Sequence, residues 1–202
     1  MPPHDRLKHG PLTESCVHLC IDMQNIFAEG PWETPWMKRV LPMVERLATA
    51  FPERTVFTRF IPPERPEQRS GTWRRYFENW SQMTLDRLPP GATELLAPLA
   101  RLVPPAEMLD KPVYSPWTTP GLHERLQARG IDTLVISGAE TDVCVLATVL
   151  GAVDLGYRVV IPTDALCSSS DRTHDALLTL YSERFGQQIE AVTTEQILQA
   201  WR

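Results

Sequence analysis

With 202 residues, 43% of them hydrophobic, the chain is long enough for one full-sized domain with a substantial core. A formal net charge of −5 at pH 7 gives no basis for binding nucleic acid or an anionic membrane, and no apolar run approaches the roughly 18 residues that span a bilayer. The four cysteines, Cys16, Cys20, Cys144 and Cys167, lack CxxC spacing, so neither a disulfide framework nor a zinc knuckle is indicated and a cytoplasmic location is expected.

Residues 1–15 are polar and proline-bearing with no apolar signal core, and read as a flexible N-terminal arm before a single domain over 16–202. Cys16-Val17-His18-Leu19-Cys20-Ile21-Asp22 reads as a buried strand ending in a carboxylate. Pro35 can open a helix carrying Met37, Val40, Leu41, Val44 and Leu47 at helical spacing, with Pro42 a blemish inside it. Residues 54–58 form the second strand. Residues 59–90 read as a long irregular segment around the Trp73 to Trp80 aromatic cluster. That is too long for an idle connection, so it suggests a binding loop, a lid or an oligomer contact.

A short helical pattern follows over 91–102, then a third strand over 107–111. A helix over 120–129 is closed by Gly130, and the fourth strand spans 131–137. Thr141 and Asp142 can cap the next helix, which runs to Leu155 with Gly156 closing it. A fifth strand over 157–162, a helix over 171–185, a last strand over 188–192 and a last helix over 193–201 complete the chain. Strands alternating with helices imply parallel strands and crossovers, hence a three-layer α/β sheet.

Open parallel sheets bind ligands at the carboxyl ends of their strands. Three reactive residues fall at such ends: Asp22 after the first strand, Lys111 after the third, and Cys144 just past the fourth, on the first turn of a helix. A helix N-terminus favours thiolate over thiol and can pull a cysteine pKa below about 8.5. A neighbouring carboxylate can act as base for the thiol, and a lysine near both would hold the carboxylate ionised. Taken singly, each has a plainer reading: a packed core cysteine, a turn aspartate, a solvated loop lysine.

Asp22-x-Gln24, Lys111 and Gly138-x-x-Thr141-Asp142-x-Cys144-Val145 resemble the isochorismatase-like cysteine hydrolases, a likeness continued by Thr148, Ala152, Gly156, Tyr157, Asp164-Ala165, Ser168 and His174. The resemblance implies a six-stranded parallel sheet of order 3-2-1-4-5-6, a homo-oligomer and hydrolysis of an amide or related C–N bond. It also implies Cys144 as nucleophile, Asp22 as base and later acid, and Lys111 as the charge that tunes both. A cis peptide at Ala139–Glu140 is implied too, with the backbone N–H groups of Glu140 and Cys144 forming the oxyanion hole.

Two features depart from the family pattern. Nicotinamidases of the family carry an Asp-x-His metal site after the second strand, where this chain has Thr58-Arg59-Phe60, and it has no histidine between His18 and His123. No metal or other cofactor is therefore expected. Ser115-Pro116-Trp117 replaces the usual Ser-Ala-Phe, which alters a pocket wall.

Trp117, just past Lys111, is assigned to the substrate pocket with Gln24. Arg59 can anchor a substrate carboxylate bidentately, or pair with Glu64 or Glu67. His123 and His174 read as capping or packing residues. The expected function is cysteine-dependent hydrolysis of a small amide or carbamoyl-type bond through a thioester, with a small molecule as partner. The alternatives are a metal-independent nicotinamidase-type amidase and a non-hydrolytic scaffold that binds a protein through its Trp/Arg loop.

Overall fold

The computed structural model describes residues 7–202. The sheet contains β1 (Cys16–Ile21), β2 (Thr55–Phe60), β3 (Glu107–Lys111), β4 (Thr133–Ala139), β5 (Arg158–Pro162), β6 (Leu166–Cys167) and β7 (Ile189–Val192). The helices are α1 (Met37–Ala50), α2 (Gly71–Asn79), α3 (Ala97–Ala100), α4 (Leu122–Ala128), α5 (Leu146–Asp154), α6 (Asp171–Arg184) and α7 (Thr194–Ala200). The spatial order is β3-β2-β1-β4-β5-β7, and all strand pairings are parallel. This is the order expected for six strands, displaced in numbering by the two-residue β6. β4 pairs with β5 through Val135 and then with β6 at Gly138 and Ala139. The chain leaves that edge after Pro162 and returns to it at Leu166.

Side-chain alternation along β1 divides the core in two. Cys16 and Cys20 pack with Met37, Val40, Val44 and Leu47 of α1 and Ile197 of α7. Val17, Leu19 and Ile21 pack with Leu122 and Leu126 of α4, Val149 and Ala152 of α5 and Tyr181 of α6. Helices thus cover both faces, giving the three-layer α/β/α sandwich. No helix among the described residues is long and apolar enough to cross a membrane.

Three expected features differ. Residues 59–90 are not irregular throughout: Arg59 and Phe60 finish β2, and α2 lies within the segment. α2 buries only Phe77, so it carries no long apolar stripe that would announce it. The pattern over 91–102 shrinks to the single turn of α3. Of the expected N-terminal arm, residues 1–6 lie outside the described residues, whereas the rest is docked. Leu7 and Leu12 are buried, Leu12 exchanges backbone hydrogen bonds with Ala200 and Arg202, and Arg158 donates to the Gly10 carbonyl.

At its carboxyl end β4 runs very close to β1. A Cβ at Gly138 would lie 2.1 Å from the Ile21 carbonyl oxygen, and its φ of +109° suits glycine alone. This close approach brings the segment after β4 beside the one after β1.

Candidate active site

Asp22 directly follows β1 and takes a φ of 48°, so the chain turns sharply there. Its carboxylate is fully buried. Oδ1 accepts from Thr58 Oγ1 at 2.6 Å and Oδ2 accepts from Lys111 Nζ at 2.6 Å. Lys111, the last residue of β3, also donates to the Val113 carbonyl and holds its ammonium 5.4 Å from the centre of the Phe60 ring. Cys144 lies close enough to both Asp22 and Lys111 to feel their charges. Three strand ends remote in sequence therefore meet at one point, as the sequence indicated.

The Cys144 turn differs from expectation. Thr141–Val145 is a π-helical turn, and regular α-helix begins only at Leu146. π-turns inside helices recur at functional sites. Thr141 and Asp142 do not cap the helix with their side chains. Thr141 Oγ1 donates to the Cys167 carbonyl and meets His174 Nδ1 at 2.8 Å, while Asp142 accepts from Ser168 and Thr173. Thr148 Oγ1 donates to the Cys144 carbonyl at 2.7 Å. The turn is thus tied to β6 and α6, with Ser168 and His174 of the sequence motif among its partners. His174 also meets Trp36 edge-on, the packing role expected of it. The Ala139–Glu140 peptide is cis, and the Glu140 carbonyl accepts from the N–H groups of Val143 and Val145.

The electrostatics reverse one expectation. Burial and then the Asp22 carboxylate push the Cys144 thiol well above its usual pKa, and the Lys111 ammonium only partly opposes them. The resting sulfur is a protonated thiol, so it needs a base at the moment of attack. Burial alone would lower the Lys111 pKa, but Asp22 and Cys144 raise it, so its ammonium stays charged.

Above the sulfur lies a cavity of about 260 Å³, just under the range of about 300–1,000 Å³ typical of ligand pockets. Cys144 and Val143 are at its base. Phe27, Trp32, Phe60, Tyr76, Trp80 and Tyr114 supply its aromatic walls, and Glu33 and Glu140 its carboxylates. Burial raises the pKa of both the Tyr76 and the Tyr114 hydroxyl, so they remain donors. The walls come from the loop after β1, from β2, from α2 and its end, and from the turn after β3. The aromatic cluster of the long segment therefore serves the pocket. Trp32, Tyr114 and the Glu140 side chain had not been singled out from sequence, and Tyr76 only as part of the Trp73 to Trp80 cluster. A lone aromatic in a loop carries no periodicity that says which way it faces.

Gln24, Arg59 and Trp117 were expected at the substrate, and the structure occupies each of them elsewhere. Gln24 is fully buried, donates to the Phe60 and Thr93 carbonyls and accepts from the Phe60 N–H. It fastens the loop after β1 to β2. Arg59 forms a bidentate pair with Asp110, its neighbour across β2 and β3, and a second pair with Glu94. Its partners are thus neither Glu64 nor Glu67. Trp117 donates to the Thr148 carbonyl, stacks on Tyr157 and lies flat on Gly151, where a Cβ would come within 2.3 Å of its ring. None of the three lines the Cys144 cavity. Cys16, Cys20 and Cys167 are fully buried, and burial raises the pKa of each thiol, that of Cys16 to about 12. Among the described residues no three of His, Cys, Asp or Glu are grouped to hold a metal ion. At the position of the nicotinamidase metal site, Thr58 hydrogen-bonds Asp22 and Arg59 is ion-paired.

The fold and parts of the sequence recur in known proteins. A cysteine hydrolase from Pseudomonas syringae pv. phaseolicola superposes with a TM-score of 0.79 at 21% identity, covering 93% of this chain and 92% of that one. N-carbamoylsarcosine amidase from Thermoplasma acidophilum superposes with a TM-score of 0.70 at 22% identity, over 89% and 96% of the two chains. In sequence, the uncharacterized isochorismatase family protein YwoC of Bacillus subtilis is 33% identical over 115 residues, 54% of this chain and 59% of its own length. The chain spans about half the length of the curated relatives it matches. The family model described as the isochorismatase domain matches residues 16–194. With its whole sheet and every residue of the Asp22–Lys111–Cys144 cluster inside that match, the chain belongs to the isochorismatase family.

Proposed function

We propose that the protein is a cysteine hydrolase that cleaves a small amide or carbamoyl-type C–N bond. The observation that carries this reading is the meeting of Asp22, Lys111 and Cys144 at the floor of a small aromatic cavity. Asp22 takes the Cys144 proton as the sulfur attacks the carbonyl carbon. Lys111 stabilises the negative charge of the cluster without leaving its place. The tetrahedral oxyanion is assigned to the backbone N–H groups of Glu140 and Cys144. Collapse breaks the C–N bond, and the nitrogen leaves with the proton held by Asp22, giving a thioester. Asp22 then deprotonates a water that attacks the thioester, releasing the acid and restoring the thiol. No step calls on a metal or cofactor. A cytoplasmic location and assembly with further copies of the chain are part of the same reading.

The test is ammonia or amine release from a panel of small amides and ureido compounds. The wild-type protein is expected to release it, and Cys144→Ala to release none. Mass spectrometry of the intact protein stalled at low pH is expected to find the acyl group on Cys144. A Cys144→Ala variant as active as the wild type would overturn the reading.

A further inference from the structure

The cavity above Cys144 has aromatic walls and two carboxylates, and among the described residues no lysine, arginine or histidine lines it. Lys111, which does not line it, is committed to Asp22 and the Val113 carbonyl. Arg59, which the sequence offered as a carboxylate anchor, is turned to Asp110 and Glu94. An anionic substrate would therefore be desolvated against ring faces and carboxylates with no partner for its charge. A positive charge meets the opposite conditions. Ring faces attract cations, and do so best where water is excluded. Glu140, half-buried beside the sulfur, spends one oxygen on the Ser169 N–H. Glu33 stands exposed at the rim.

Resting on the proposed hydrolysis for the identity of the reacting bond, we infer that the site selects amides whose non-reacting part is a compact organic cation. The rings of Trp32, Tyr76 and Trp80 hold the cation, and Glu140 and Glu33 balance its charge. The carbonyl end then points down at Cys144, with the Tyr76 and Tyr114 hydroxyls as the neutral donors above it.

The matched probes are betaine amide, its uncharged isostere 3,3-dimethylbutanamide, and malonamate, which carries a carboxylate. Binding is read by tryptophan fluorescence in Cys144→Ala, independently of turnover, and ammonia release is read in the wild type. Betaine amide is expected to bind about tenfold more tightly than the isostere, an advantage equivalent to about 1.4 kcal/mol, with malonamate the weakest. Glu140→Gln with Glu33→Gln is expected to remove most of that advantage. The inference is overturned if the isostere or malonamate binds as tightly as betaine amide. It is equally overturned if the advantage survives in the double variant, or if none of the three binds. Preferential binding of betaine amide without ammonia release would count against the hydrolytic reading and leave the selectivity standing. Hydrolysis without preference for the cation would do the reverse.

Discussion

Lys111 Nζ lies 2.6 Å from Asp22 Oδ2, with both side chains closed off from solvent. Such a pair is costly to bury and costlier to break, because removing one partner strands the other charge, typically at about 3–5 kcal/mol. Lys111→Met is therefore expected to lose stability on that scale as well as hydrolytic activity by orders of magnitude. Asp22→Asn with Lys111→Met removes both charges and is expected to regain most of the stability and none of the activity. Urea denaturation of the three proteins checks this. A Lys111→Met variant as stable as the wild type would mean that Asp22 carries no charge in the folded protein.

Asp22 also governs the state of the sulfur. Its carboxylate is the second cause, after burial, of the raised Cys144 pKa, and Lys111 is what pulls the other way. In Asp22→Asn the opposing charge is gone and Lys111 is left facing the sulfur alone. The thiolate is then expected to form at lower pH, so iodoacetamide should alkylate Cys144 faster than in the wild type at neutral pH. Hydrolysis should nonetheless disappear, because no group remains to shuttle the proton. Peptide mapping should find Cys144 modified first in both proteins, since the other three cysteines are sealed in the core while Cys144 lines the cavity. Slower alkylation in Asp22→Asn would show that the carboxylate does not hold the proton on sulfur.

The strand ends were legible because the chemistry there is written in local pattern. Apolar strand runs stop at Asp22 and Gly138, a short strand ends at Lys111, and parallel topology brings such ends together. Element order was legible for the same reason. The pocket walls were not. Trp117 looked like a pocket residue from its distance to Lys111 in sequence, but the bare surface at Gly151, thirty-four residues later, draws its ring onto α5 instead. Arg59 sits next to Asp110 only through the register of β2 on β3. β6 is two residues long, too short for any periodicity, and its place is set by the vacant edge at the end of β4. A helix start had suggested a low thiol pKa, whereas burial and the Asp22 carboxylate push it up.

Metal-independent turnover is expected from what occupies the end of β2. Thr58 is engaged with Asp22 and Arg59 with Asp110 and Glu94, so neither position offers a ligand set. Turnover is expected to be unchanged after dialysis against a strong chelator, and added zinc, iron or manganese is expected to give no gain. Activity lost to the chelator and restored by one metal would overturn this.

His18 sits in the middle of β1, fully buried, with Ser137 Oγ 2.7 Å from Nε2 and Thr55 Oγ1 3.3 Å from Nδ1. Both partners are neutral hydroxyls, and burial lowers its pKa to about 3. In the unfolded chain the ring titrates near its ordinary value of about 6.5. Between these two values the unfolded chain binds a proton that the folded protein refuses. Folding stability from this group is thus complete above about pH 6.5 and falls as the pH drops toward 3, by on the order of 1 kcal/mol per pH unit. His18→Gln keeps a polar side chain at the position but cannot take the proton. It is expected to be less stable than the wild type at pH 7 through imperfect packing, yet to lose less stability between pH 7 and pH 5. Urea denaturation of both proteins at the two pH values isolates the effect, because every other titrating group is common to them. Parallel losses in the two proteins would show that His18 does not set the acid limb of the stability curve.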